Sequence, residues 1–352
     1  MKKFLYLIIC LPFLLTACDV HEWPDTPESV KFHLRLNYET DMTEWHHLYD
    51  GGNVLEQRYG ETYDNHLNSG QIRYVVRAYP ISEKQRTSQN VMQEFVYTKD
   101  IARGYDHEVT LDLPEGNYNI MVWSDLVKFN TDTPFYDAAN FALIKLQGNH
   151  QANTDHRDAF RGTNSISLVA DIMERVPDTL DIAMQRPLAK FEFVTDDVLE
   201  FLDKEATRVA SKANGGKAAL DDAAASRVIN IEDYKVVFYY VGFMPNTYSI
   251  YTDKPVDSAL GVLFESTLKK ISESEASVGF DYAMVNGIKS SVTVKIGIYD
   301  KEDEQLSLSD PIEVPLQRNY HTIIRGMFLM SETSGGVIIN PEFDGDHNLI
   351  FP

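Results

Sequence analysis

The sequence predicts an all-β protein built as two antiparallel β-sandwiches, and three observations carry that prediction. Short runs in which apolar residues recur at every second position fill most of the chain, the period of a strand with one buried face. Pro, Gly and Asn punctuate these runs, which favours antiparallel sheets over parallel sheets with crossover helices. One stretch, 196–227, departs from this rhythm and takes helical spacing instead.

The chain opens on Lys2 and Lys3, followed by an apolar run from Phe4 to Leu15 that is too short to span a bilayer comfortably. Residues 1–17 therefore read as a signal peptide. Leu15-Thr16-Ala17-Cys18 has the form of a lipobox: small residues fit the peptidase cleft, and the Cys18 thiol accepts the lipid. Two or three acyl chains on Cys18 satisfy the requirement of stable anchoring for more than one chain. Asp19, directly after the cysteine, leaves the choice between inner and outer membrane open. The only cysteines are Cys10, lost with the signal, and Cys18, so the mature chain has no disulfide. Cleavage leaves 335 residues (352 − 17), enough for two full cores without covalent staples. It also removes two lysines, taking the net charge from −21 to −23. Such acidity argues against nucleic-acid or anionic-lipid partners, because it repels phosphates, and keeps a protein outside the cytoplasm soluble.

Residues 18–29, with Pro24 and Pro27 among acids, read as a lipidated tether. Strand patterns follow at Val30–Leu36, Gln71–Tyr79, Met92–Thr98, His107–Leu113, Tyr118–Trp123, Phe141–Leu146, Ile166–Val169 and Leu180–Met184, giving an N-terminal sandwich over 30–185. The Pro114 and Gly116 chemistry between two of these runs predicts a tight hairpin. Pro187 interrupts ladder pairing, so the C-terminal sandwich is expected over 186–352, starting with Leu188–Val194. Within it, Val198, Leu199, Phe201, Leu202, Glu205 and Val209 mark a helix capped by Thr195 or Asp196. Gly215-Gly216 and an Ala-rich stretch then predict a loop and a second short helix before 227. Strands resume at Tyr234–Val241, Thr247–Tyr251, Val262–Ser266, Val278–Ala283, Val292–Ile298 and Tyr320–Met330. Gly336–Phe343 and Leu349–Phe351 are β-prone, and they serve either as the last strand of this sandwich or as a mobile donor strand.

Catalytic and metal chemistry finds little support. Asp41, Glu44, His46 and His47 lie close in sequence, but adjacent histidines on a strand point to opposite sides and match no zinc spacing. Asp344-Gly345-Asp346-His347-Asn348 resembles part of a calcium loop without its later acidic ligand. GxSxG, HExxH, Walker A and GxGxxG are all missing. No enzyme activity, catalytic residue, cofactor or metal is therefore expected. A hydrolase on a β-scaffold is favoured by no residue; a surface glycan-binding lipoprotein stays in play through Trp23, Trp45 and Trp123 if they stack outward.

Several segments carry a family resemblance: the lipobox, Leu113 to Tyr118 running into Trp123, Asp158 to Gly162, Arg186 to Phe191, and Asn319 to Thr322 with Gly326. Together they resemble the fimbrillin-like lipoproteins of the Bacteroidales, which include type V pilus subunits and pilus anchors. The resemblance implies transthyretin-like sandwiches, assembly with other fimbrial subunits by strand exchange, and delivery to the cell surface on the outer membrane through the lipid. It makes the chain a fimbrial anchor or fimbrillin-like subunit. Polymerising subunits of that family lose a first strand after an arginine cut, for which Arg35 and Arg58 are placed; an anchor keeps its N-terminus.

Overall fold

The computed structural model describes residues 29–81, 91–128, 131–168, 179–213 and 229–330. Cys18, the tether, the Ala-rich stretch with its expected second helix, Asp344–Asn348 and the C-terminal strand candidates lie outside these residues.

The all-β expectation holds: sheets stack in pairs around apolar cores. In the first pair, β1 (Ser29–Tyr38) lies between β6 (His107–Pro114) and β11 (Thr179–Met184). Opposite stands a sheet ordered β10 (Ala159–Leu168), β7 (Gly116–Leu126), β4 (Gln71–Pro80) and β5 (Gln93–Asp100). Alternation sends Phe32, Leu34 and Leu36 of β1 inward, where they meet Val76, Ile120, Val122 and Phe160 of the facing layer.

The second pair is larger. Its six-stranded sheet runs β17 (Lys269–Lys270), β18 (Ala276–Met284), β12 (Leu188–Thr195), β22 (Tyr320–Gly326), β2 (Asp41–Asp50) and β3 (Asn53–Asp64). The facing sheet runs β16 (Leu263–Thr267), β13 (Lys235–Tyr240), β19 (Lys289–Tyr299) and β20 (Gln305–Leu308), with β21 (Ile312–Gln317) also on β19. Between them lie Phe191, Phe193, Phe238, Ile296 and Ile324. Helix α1 (Val198–Ala213) follows β12 as the expected crossover and turns Val198 and Phe201 into the same core. A smaller sheet of β8 (Tyr136–Asp137), β9 (Ile144–Leu146), β14 (Met244–Ser249) and β15 (Lys254–Ala259) joins the halves, because β9 pairs with β14. A third core, with Trp123, Tyr136, Phe141, Tyr248 and Tyr282, seals that junction.

Four features depart from the sequence expectation. The Pro114–Gly116 turn is no hairpin: β6 and β7 belong to facing sheets, and the turn carries the chain from one layer to the other. Leu111 and Leu113 before the turn and Tyr118 and Ile120 after it all point into one core, which hairpin pairing in a single sheet would not require. Tyr118 Oη closes the turn by donating to the Pro114 carbonyl at 3.0 Å. Secondly, three pairings are parallel, β1 with β11, β12 with β22 and β2 with β22; their partners are far apart in sequence, which parallel pairing demands. Thirdly, β2 and β3 were not expected from the sequence, nor were β15, β20 and β21. Met42, Trp45 and His47 are the buried positions of β2, and a register shift between Thr43 and Trp45 breaks the two-residue period, while β3 is exposed over most of its length. Lastly, sheet membership does not follow the division at 185/186, because the β2–β3 hairpin, early in the chain, sits beside β22 in the second sandwich.

Candidate functional site

Among the described residues no group of three or more His, Cys, Asp and Glu side chains is placed to hold a metal. His46 Nε2 lies 2.7 Å from Glu44 Oε2 at the surface, whereas His47 turns inward, where burial lowers its pKa. Trp123 is fully buried and Trp45 only 6% exposed, its ring stacked on Tyr59, so neither offers an open face to a sugar.

The strand that the resemblance makes functional, β1, is inserted centrally. It pairs antiparallel with β6 from Ser29 to Leu36 and parallel with β11 from His33 to Tyr38. Three buried anchors at two-residue intervals, Phe32, Leu34 and Leu36, fill the groove between these neighbours and the facing sheet. Burying three such side chains stabilises the insertion by about 5–9 kcal/mol on an area basis. Outward residues clip the rim: Arg35 pairs with Glu108 at 3.2 Å and Asp181 at 3.6 Å, and Asn37 Nδ2 donates to Asp181 at 3.0 Å. Arg35 is thus in the middle of a paired strand, and Arg58 lies in β3 opposite His46.

From β1 the chain crosses to β2 in the other sandwich, and the crossing is clamped. Arg186 is fully buried beside Asp158, with Nε 2.8 Å from Oδ2. Its other nitrogens donate to the carbonyls of Glu39, Thr40 and Asp41 and to Asn319 Oδ1, at 2.8–3.1 Å. One planar guanidinium therefore fastens the β1–β2 crossing, the β10 start and the β22 start at once, a task suited to its fixed fork of donors. Burial pushes the Asp158 carboxyl up, against the pull of Arg186.

Around this clamp the two halves are stitched by further charges. Lys190 donates to Asp155 at 2.8 Å, and Tyr282 Oη donates to the same oxygen at 2.7 Å. Arg157 donates to Asp281, whose other oxygen lies 2.7 Å from His150 Nε2 and accepts from Tyr240 Oη at 2.6 Å. Burial alone would raise the Asp281 pKa, but Arg157 and His150 outweigh it and hold the carboxyl below its usual value. His321 stands 3.2 Å from Glu192 and 2.9 Å from Tyr63 Oη, with its pKa lowered by burial. Gly162 belongs to the same region: a Cβ there would lie 2.4 Å from Ile182 Cγ2 and 2.7 Å from Met184 Sδ, so β10 and β11 touch only because it has none.

The segments that carried the resemblance, Asp158–Gly162, Arg186–Phe191 and Asn319–Thr322, thus meet at one junction. The charges of Asp158, Arg186, Lys190 and Asp281 are each answered by a partner across the junction, which suits holding two bodies together; Arg161, in the same segment, lies on the outer face of β10 and pairs with Asp253. Sequence reading missed Asn65, Asp155, Arg157 and Asp281, which complete the network. The available signal was Asp281, an acid within the apolar run Val278–Ala283.

No curated protein matches the chain. Among solved structures, the fimbrial anchor protein Mfa2 from Porphyromonas gingivalis is similar at 11% identity and a TM-score of 0.38, with 80% of this chain and 82% of that one covered. The tip fimbrial protein Mfa3 from the same organism, in a C-terminally truncated form, is similar at 9% identity and 0.31, with 81% of each chain covered. A fimbrial assembly protein from Parabacteroides distasonis is similar at 10% identity and 0.35, covering 85% and 92%. At these identities and scores the likeness carries neither a role nor a residue assignment to this chain. A family model matches residues 27–352, and the chain belongs to that family of unknown function, DUF6562.

Proposed function

We propose that the chain is a cell-surface fimbrial subunit of the anchor kind, tied to the outer membrane by lipid on Cys18 and joined to neighbouring subunits by strand exchange. The observation that carries this reading is the placement of the N-terminal segment. β1 is the central strand of one sheet, β2 is internal to another, and Arg186 grips the residues between them. A subunit that shed this segment at Arg58 would lose strands from both sandwiches. One that keeps it has a closed first sandwich and a lipid attached directly upstream, which is what a base for other subunits requires. The donated strand belongs to a neighbour or to residues 336–352, and the two sandwiches project as mechanical parts. No helix among the described residues is long and apolar enough to cross a membrane, so attachment in this reading rests on the lipid.

The test is mass spectrometry of the native protein, with fractionation of wild type and Cys18→Ala. The expected result is an acylated N-terminal Cys18, protease-accessible protein on intact cells, and release of the variant from the membrane. A native N-terminus at Leu36 or Tyr59, the products of cuts after Arg35 and Arg58, would show a processed polymerising subunit instead.

A further inference from the structure

A second surface feature stands apart from the junction clamp and from the β1 groove. On the outer face of the β10–β7–β4–β5 sheet lies an open groove of about 490 Å³, lined by Asn119, Met121, Arg161, Thr163, Ser165 and Asp253 among others. Alternation along β10 turns Arg161, Thr163 and Ser165 to this face at two-residue steps, a polar row about 14 Å long. Cross-strand pairing places Asn119 opposite Ser165 and Met121 opposite Thr163. The wall is the β14–β15 turn, from Ile250 to Asp253.

The charges at one end of the row do not balance. Arg161 and Arg318 both bind the single carboxylate of Asp253, Arg318 Nη1 at 2.9 Å. Tyr248 Oη donates to that carboxylate too, so its acceptor sites are crowded. Asp253 holds this position with φ at +56°, a left-handed conformation that Asp tolerates better than most residues, and backbone outliers of this sort concentrate at ligand-binding places. Arg161 Nε is buried and has no hydrogen-bond partner. Two guanidinium groups against one carboxylate leave a surplus positive charge, on a protein whose net charge is −21. Next to it come the Asn119 amide and the hydroxyls of Thr163 and Ser165, with Ser165 Oγ donating to Asn119 Oδ1 at 2.6 Å and leaving the Asn119 amide hydrogens for a ligand oxygen.

We propose that this groove binds a carboxylate-bearing saccharide, with the carboxylate at Arg161 and the ring hydroxyls along Asn119, Thr163 and Ser165. A cation that takes the acid and a row of amide and hydroxyl groups that can both donate and accept match a sugar acid better than a neutral sugar, which would leave the surplus charge unanswered, or a hydrocarbon, which would leave the polar row unpaired. Binding would be shallow and of modest affinity, suited to a surface that meets a polymer many times over.

Titration calorimetry with the full mature chain tests this, using a tetragalacturonate, 3′-sialyllactose, and lactose as the neutral control. At least one of the two acidic probes is expected to bind tenfold or more tightly than lactose, and which one does so separates an internal uronate from a terminal sialate. Arg161→Gln is expected to erase that preference. Thr163→Asp, an exposed position touching neither arginine pair, is expected to weaken acid binding at least tenfold while leaving the melting temperature unchanged, and it decides the matter if Arg161→Gln fails to fold. Equal binding of acidic and neutral sugars, no binding of either acid at 10 mM, or acid binding that survives Thr163→Asp unchanged would overturn the proposal.

Discussion

Replacing Arg186 by Met probes the clamp most directly, because the side chains are similar in length and the charge and all donors disappear together. The guanidinium serves Asp158, three successive carbonyls and Asn319, and stacks over the Phe160 ring at 4.7 Å. Its loss strands Asp158 as a buried carboxylate, and breaking a buried pair in this way costs about 3–5 kcal/mol. The orphaned carbonyls would each add about 1–3 kcal/mol if water could not reach them; since they lie where the chain crosses between sandwiches, partial hydration keeps the total near the pair value. Arg186→Lys should recover little, because a point charge on a flexible stem cannot fork to six oxygens. Urea unfolding, followed through the fluorescence of the junction residue Trp123, reads the loss, and a cycle with Asp158→Asn reads the coupling. The double variant is expected to lose less than the sum of the singles, by about 0.5–3 kcal/mol. A loss below about 1 kcal/mol for Arg186→Met, or strict additivity in the cycle, would refute the reasoning that this arginine fastens the N-terminal crossing.

Three further outcomes follow from the same geometry. Leu34→Ala in β1 removes a fully buried anchor and should cost about 2–5 kcal/mol, with faster amide exchange in β6 and β11 and little change in β19; uniform exchange across both sandwiches would contradict the local reading. Gly162→Ala should destabilise by about 1–3 kcal/mol through overpacking against Ile182 and Met184, and a variant as stable as wild type in a thermal melt would show that β11 can move aside. Burial lowers the pKa values of His47, His107 and His321, so the folded state binds fewer protons than the unfolded chain; their stability is full above about pH 6.5 and is lost as pH falls below it. Melting temperature should therefore decline from pH 7 to pH 5, less steeply in His321→Gln, and a flat or rising profile would exclude this origin.

Some strands were legible as apolar runs buried on both faces, such as β4 and β12, and the clearest were those with one buried face and an unbroken two-residue period. Val292 to Ile298 and Val30 to Leu36 show it, and both recur in β19 and β1 with alternating burial. Helix α1 was legible for the same reason at another period, since Val198 and Phe201 reach the core and Glu205 turns inward to meet Arg208. Of the strands that escaped, β2 and β3 had no period to read, whereas Ile312, Val314 and Leu316 of β21 alternate but carry Pro315 among them, a residue that reads as a strand breaker. The register shift in β2 moves Trp45 out of phase with Met42, and β3 has solvent on most of its length. The Pro114–Gly116 turn misled because turn chemistry specifies a reversal of direction and is silent on whether the returning strand pairs or crosses the core; only the burial of Leu113 and Tyr118 from facing layers decides that.

The junction raises a different point, because the motifs that carried the resemblance turned out to be its parts. Asp158, Arg186, Lys190 and Asn319 are polar or charged residues beside apolar strands, a pattern that at the sequence level is equally consistent with a catalytic cleft. Burial and partner counts separate the two. A catalytic group must reach a substrate, so some acid or base is left facing open space with its charge unanswered. Here Asp158 is enclosed by Arg186, Ala159 N and Asn65, and Asp281 by Arg157, His150 and Tyr240. Buried ion pairs of this kind add little net stability over apolar packing, yet they tolerate only one arrangement of their partners. The role that follows is one of registry. The charges fix how the first sandwich sits on the second, and they fix it through the segment, Glu39 to Asp41, that leads back to the N-terminus. A pull from the N-terminal side would meet β1 first, where Phe32, Leu34 and Leu36 sit in the first core, and would reach β2 and β22 only past the Arg186 clamp, so the residues most recognisable in the sequence are those that govern how load passes from one sandwich to the other.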